Sequence, residues 1–179
     1  MQQLDMLRNK TGAPPDSSQY LTFSIDKEEY GVDILKVQEI KGFSAITPIP
    51  NAPPYVKGVM NLRGTIIPVL DLRARLGLAQ LDYNRFTVIV VVTVGTKVMG
   101  LIVDTVTDVL TIPRADIQAP PEFGEAAEGR AIHGLVKTEN GVLMLLDIER
   151  FLAADAQVLA KPDQPAEGKA VAIERLGVS

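Results

Sequence analysis

His133 is the single histidine of the chain, and the search for a reacting centre narrows to it at once. One imidazole is enough for a Ser-His-Asp arrangement, but it cannot supply a His-paired metal motif. Cysteine is absent, which removes disulfides, thiol nucleophiles and thiolate metal sites together. Asp104 and Asp108 lie on an extended segment and point to one face. Two carboxylates alone make neither a metal site nor an acid–base pair. Gly95-Thr96-Lys97 lacks the spacing and the ensuing helix of a phosphate-binding loop. No cofactor is implied. Arg63 carries more information: a turn exposes it, and its guanidinium can pair in bidentate fashion with a carboxylate. An exposed arginine is also an ordinary feature of a soluble surface. The chemistry on offer is recognition, and the inventory leans away from catalysis.

The elements that must present these residues are strands. Leu21, Phe23 and Ile25 alternate with polar residues, the period of a half-buried strand. The pattern then repeats. Tyr20–Ile25 matches Ile89–Val94 at an offset of 69, as Tyr30-Gly31-Val32 matches Met99-Gly100-Leu101 and Val37–Ile40 matches Val106–Val109. Ala52-Pro53-Pro54 and Ala119-Pro120-Pro121 follow. Gly58-Val59 then pairs with Gly134-Leu135, and Val69–Leu72 with Leu145–Ile148, at an offset of 76. Each copy reads as strand, turn, strand, extended Pro-rich loop and hairpin. Asn140-Gly141 is a tight-hairpin signal whose counterpart is Arg63-Gly64, because these residues tolerate positive φ. Pro68 cannot donate to a ladder, so its strand is expected at an edge or beside a bulge. Val88–Val92 is apolar without alternation and is expected where two lobes meet. Asp71–Leu76 is expected to form a turn or two of helix stopped at Gly77, and Asp147–Ala160 a longer helix.

The folded body is expected over about 19–160, with lobe one about 19–85, lobe two about 86–147 and a terminal helix about 147–160. Residues 1–18 and 161–179 are expected to be flexible, the latter with a short helix at Ala170–Leu176. The stretch Pro120–Arg130 is a longer Pro-rich connection than its counterpart in the first copy. The net charge of −4 disfavours a broad phosphate-binding surface. The opening Met1–Met6 has no basic region before an apolar run, so the cytoplasm is the default.

Two segments are recognisable at this point. Glu29–Ile40, reading EYGVDILKVQEI, and Val56–Arg73, reading VKGVMNLRGTIIPVLDLR, resemble the two signatures of the CheW coupling-protein family over about residues 19–160. The resemblance implies an all-β fold of two SH3-like five-stranded barrel lobes with a C-terminal helix and no enzymatic activity. It implies a scaffold that couples the cytoplasmic tips of chemoreceptors to the regulatory domain of the histidine kinase CheA, in arrays beneath the inner membrane, with other CheW copies as further partners. Carried over by position, the receptor-facing residues are Ile34, Val37, Glu39, Gly58, Asn61 and Arg63. Kinase-facing residues, matched only by strand position, are Gly100, Val103 and Val106. Without the resemblance, Ile34 and Val37 are strand apolars that core packing explains, Glu39 is a solvated charge, and Gly58 answers to backbone conformation or close packing. The alternative is a small-barrel nucleic-acid-binding module. It would need a basic groove with stacking aromatics, and none is interleaved with Lys57, Arg63, Arg73 and Arg75.

Overall fold

The computed structural model describes residues 16–79, 82–121, 131–139 and 141–160. The first copy of the repeat folds as β1 (Ser17–Ile25), β2 (Glu28–Asp33), a 3-10 turn (Ile34–Lys36), β3 (Val37–Gly42), β4 (Val56–Leu62), β5 (Thr65–Asp71) and α1 (Leu72–Arg75). The second gives β6 (Val88–Val94), β7 (Lys97–Val103), β8 (Thr105–Pro113), a 3-10 turn (Arg114–Asp116), β9 (Ile132–Thr138), β10 (Gly141–Leu146) and α2 (Ile148–Ala160). The strand β1 begins at Ser17, inside the expected leader. The other leader residues, the tail, residues 122–130 of the Pro-rich stretch and Asn140 lie outside the described residues.

The two five-stranded sheets have the orders β8-β1-β2-β10-β9 and β3-β6-β7-β5-β4. This corrects the expected lobes. Neither sheet is a half of the sequence: each takes the first hairpin of one copy and the last three strands of the other. The break near residue 85 divides the repeat, whereas the lobes are built by reciprocal exchange across it. The registers show how fully the copies correspond. Tyr20 faces Asp33 and Ile89 faces Ile102, the same pairing moved by 69 residues. The β1–β8 ladder slips past Thr107 and the β3–β6 ladder slips past Gln38, also 69 apart. Bulges in β4 and β9 fall at Lys57 and His133, 76 apart.

Each sheet curls until the chain beyond one edge strand meets the other edge. Thr47 and Val59 exchange two backbone hydrogen bonds, 2.9 and 2.8 Å, and Gln118 and Leu135 exchange two more, 2.8 and 2.9 Å. Closure of this kind hides the edges that short sheets otherwise expose. The first of these bridges depends on Gly58, where φ is +147° and a Cβ atom would lie 1.9 Å from the Thr47 carbonyl oxygen.

Three apolar clusters follow. Tyr20, Ile112, Val136, Leu143 and Leu145 fill the first lobe, and Met60, Leu62, Ile67, Val69, Ile89, Val91 and Ile102 fill the second. The largest cluster lies between them and draws Leu21, Phe23 and Ile25 from one sheet and Val90, Val92 and Val94 from the other. Strand β6 is therefore buried on both faces at the meeting of the lobes. Strand β5 runs inside its sheet, between β7 and β4, so Pro68 is not on an edge strand. Its parallel pairing to β7 begins only at Val69, and the β4–β5 pair carries a bulge. The hairpin at the second tip turns one residue earlier than expected, since Gly141 already pairs with Thr138.

Both helices start on an aspartate. Asp71 Oδ1 accepts from the backbone N–H groups of Arg73 and Ala74, and α1 ends before Gly77, whose φ is +78°. Asp147 Oδ1 accepts from Arg150 N–H at 3.2 Å. The apolar residues Ile148, Phe151 and Leu152 then bind α2 to the central cluster.

Candidate interaction site

The exposed end of the β4–β5 hairpin carries the best-defined constellation. Leu62 pairs with Thr65, leaving a two-residue turn in which Arg63 has φ +50° and Gly64 φ +90°. Two consecutive positive φ values are those of a type I′ turn, whose twist matches that of the flanking strands. Asn61 Oδ1 accepts from the Gly64 N–H at 2.7 Å. Asn61 is exposed, but its side-chain oxygen is engaged in fixing the turn.

Arg63 reaches from that turn to β3, where its Nη2 lies 2.5 Å from Glu39 Oε2. The two side chains are unequally exposed, 58% for Arg63 and 7% for Glu39. The guanidinium holds the Glu39 carboxyl below its usual range, against burial, which pushes the other way. The carboxylate is thus a buried anchor, and the arginine presents its remaining donors to solvent. Ile66, across the hairpin from Asn61, stands exposed beside them.

The other expected receptor-facing residues divide differently. Val37 is fully buried and Ile34 is 3% exposed, both within the central cluster, so neither offers a direct contact. The 3-10 turn before β3 rotates the chain, and Leu35, at 76% exposure, points outward instead. Gly58 is buried against Thr47 and Pro48, which accounts for its small size without a partner. Of the expected kinase-facing residues, Gly100 and Val103 belong to the interior strand β7. A Cβ atom at Gly100 would come within 3.0 Å of Ile89 Cγ2, and Val103 is buried in the central cluster. Only Val106 is partly accessible.

His133 is the extra residue of the β9 bulge and is exposed, with its ring 6.4 Å from that of Tyr20. Among the described residues no group of three or more ligating side chains could hold a metal ion. Two of the basic residues that a nucleic-acid groove would need are engaged within the fold. Arg73 is 6% exposed and bridges Asp26 and Asp104 at 3.1 and 3.2 Å. Arg75 packs over the rings of Tyr55 and Phe151 and binds Asp155 at 3.1 Å. These two networks, and the outward turn of Leu35, escaped sequence reasoning. Asp26, Arg73 and Asp104 are too far apart in sequence for any local pattern to join them.

Two duplicated, mutually exchanged β lobes and an exposed, salt-bridged hairpin tip define the class: a two-lobed β domain that presents charged surface to a partner. The CheW-like domain model matches residues 19–156. The chain is 40% identical to the chemotaxis protein CheW of Klebsiella aerogenes over 141 residues, covering 79% of this chain and 85% of that one. It is 33% identical to CheW of Bacillus subtilis over 144 residues, covering 80% and 92%. The crystal structure of the scaffolding protein TtCheW from Thermoanaerobacter tengcongensis superposes with a TM-score of 0.69 at 32% identity, covering 75% and 92%. The chain belongs to the CheW-like domain family, and its role is that of a scaffold in chemotaxis signalling. The nucleic-acid alternative finds no support.

Proposed function

We propose that this chain is a non-catalytic coupler that holds chemoreceptor cytoplasmic tips and the CheA regulatory domain together at the inner-membrane array. The observation that carries the reading is the Glu39–Arg63 pair, a buried carboxylate holding an exposed guanidinium at the end of a rigid I′ hairpin. A fixed fork of donors suits the acidic side chains that a helical tip can present. Asn61 acts by holding the turn, and Leu35 and Ile66 add apolar contact to the same receptor-binding function. Ile34, Val37 and Gly58 act through packing. On the kinase side Val106 is the accessible candidate; Gly100 and Val103 act through packing in the interior strand β7. Two contacts on one rigid body raise the effective concentration of each partner for the other. No helix among the described residues is long and apolar enough to cross a membrane; receptor binding is the attachment this reading supplies.

The test is a pull-down with a receptor-tip fragment and a CheA regulatory domain, each alone and together. Arg63→Glu should lose the receptor fragment and keep the kinase domain. The double reversal Glu39→Arg with Arg63→Glu separates two roles: restored receptor binding would mean that the pair matters as a brace. Continued loss, in a folded protein, would mean that the charge at position 63 itself meets the receptor. Wild-type binding by Arg63→Glu would overturn the assignment.

A further inference from the structure

The repeat allows each site in one copy to be compared with its counterpart in the other, and one such pair is unequal. The first site surrounds the N-terminus of α1. It is lined by Asp71, Arg73, Ile102 and Asp104 and covered by the returning chain at Asp82–Asn84 and Thr87, leaving a cavity of about 100 Å³. Tyr83 supplies the cover: its hydroxyl donates to Asp71 Oδ2 at 2.8 Å, the oxygen that the helix cap does not use. Its ring lies 4.4 Å from that of Phe43. Arg73 fills the remaining space with its guanidinium on Asp26 and Asp104.

The second site surrounds the N-terminus of α2. Shifted by 69 or 76 residues, Ile102 becomes Asp33, Asp104 becomes Leu35, Asp71 becomes Asp147 and Arg73 becomes Glu149. Here α2 runs on for 13 residues instead of turning back after one turn, and among the described residues no counterpart of Tyr83 covers the site. An open cavity of about 370 Å³ results, lined by Val32, Asp33, Lys36, His133, Asp147 and Glu149 among others. Lys36 closes one side through its 2.8 Å pair with Glu149. Asp33 accepts from the Leu35 N–H at 2.9 Å and so fixes the turn that leaves Leu35 exposed between Asp33 and Lys36, two residues that line the cavity. Asp147 uses Oδ1 for its helix, and among the described residues no side chain donates a hydrogen bond to it.

We propose that the α2 cavity is a docking site for a partner protein that inserts a tyrosine side chain, its hydroxyl on Asp147 and its neighbouring apolar residues on Leu35. Three independent features meet here: an open cavity, a rigidly held exposed leucine, and an internal copy of the same site that shows the occupant in place. The acidic surround of Asp33, Asp147 and Glu149 outnumbers Lys36 and favours a donor over an acceptor. Tyrosine brings a rigid apolar ring with a donating tip and loses little conformational freedom on binding. The inference shares Leu35 with the receptor-facing reading but uses neither Glu39 nor Arg63, so Arg63→Glu tests that reading and Asp147→Ser tests this one.

The experiment is an NMR titration of the isotopically labelled full chain with N-acetyltyrosine amide, using N-acetylphenylalanine amide and N-acetylarginine amide as comparisons. Saturable shifts at Leu35, His133 and Glu149 are expected at millimolar tyrosine amide, with at least a several-fold weaker response to the phenylalanine compound. They should vanish in Asp147→Ser, which keeps a helix-capping oxygen and loses the second acceptor. Equal response to phenylalanine amide, stronger response to arginine amide, persistence in Asp147→Ser, or no saturable shift at all would each overturn the proposal.

Discussion

At Gly58 a single hydrogen atom decides whether the second barrel closes. Its φ of +147° is open to glycine, and an added methyl group would meet the Thr47 carbonyl at 1.9 Å and Pro48 Cα at 2.9 Å. Gly58→Ala must break the Thr47–Val59 bridge or strain the backbone, at a cost of about 2–3 kcal/mol. Urea unfolding measures it, and an unchanged midpoint would show that the loop yields freely. Glu39 gives a second prediction at this scale. Its folded pKa is depressed by Arg63, so its contribution is present above the unfolded value of about 4.3 and is lost as pH falls through the folded value. Below about pH 4 the wild type should therefore lose stability more steeply than Glu39→Gln. Parallel acid limbs for the two proteins would rule the pair out as a source of acid lability.

Among the elements, α2 depends on more than its apolar face. Asp155 is 4% exposed and receives Tyr55 Oη and Arg75 Nε, which ties the helix to α1 and to the loop before β4. Removing one partner of a largely buried pair strands the other, so Asp155→Ala should cost about 2–3 kcal/mol, less than a fully buried pair because Arg75 keeps some exposure. Hydrogen exchange should rise first in α2. A uniform rise across both sheets would place the clamp in the global core instead. The helix itself was legible in its spacing of Ile148, Phe151 and Leu152, and alternation and turns gave four strands in each copy. The separate β3 and β8 were implied only by the family's five-stranded lobes. The partners of those strands were not. Because β1 and β6 present equivalent faces, β8 satisfies β1 as well as β3 would, and no period of two can tell exchange from its absence. The same limit explains Ile34 and Val37. Alternation assigns residues to two faces, but it does not say that the 3-10 turn sends Leu35 out and both neighbours in. The family signatures pointed to Glu39 and Arg63 one by one, but their pairing was not legible, since the two are 24 positions apart on separate elements.

Reciprocal exchange has a consequence for the whole molecule. If each lobe were one half of the sequence, damage to one sheet could leave the other folded. Here the first sheet needs β8, β9 and β10 from the second copy, and the second sheet needs β3, β4 and β5 from the first. The central cluster then fuses them, with Val90, Val92 and Val94 against Leu21, Phe23 and Ile25. Neither sheet can form while either half of the chain is unfolded. Leu143 in the first lobe and Ile89 in the second are both fully buried in their own clusters. Truncating either to alanine should lower one common unfolding transition, each by about 2–5 kcal/mol. Fluorescence, circular dichroism and hydrogen exchange in both sheets should report the same midpoint. Two separated transitions, with each mutation moving only its own, would show the lobes to be independent despite their shared strands. A single transition fits a scaffold: a body that cannot loosen one lobe without the other keeps its bound surfaces in fixed relation, so a displacement imposed at one is carried to the other.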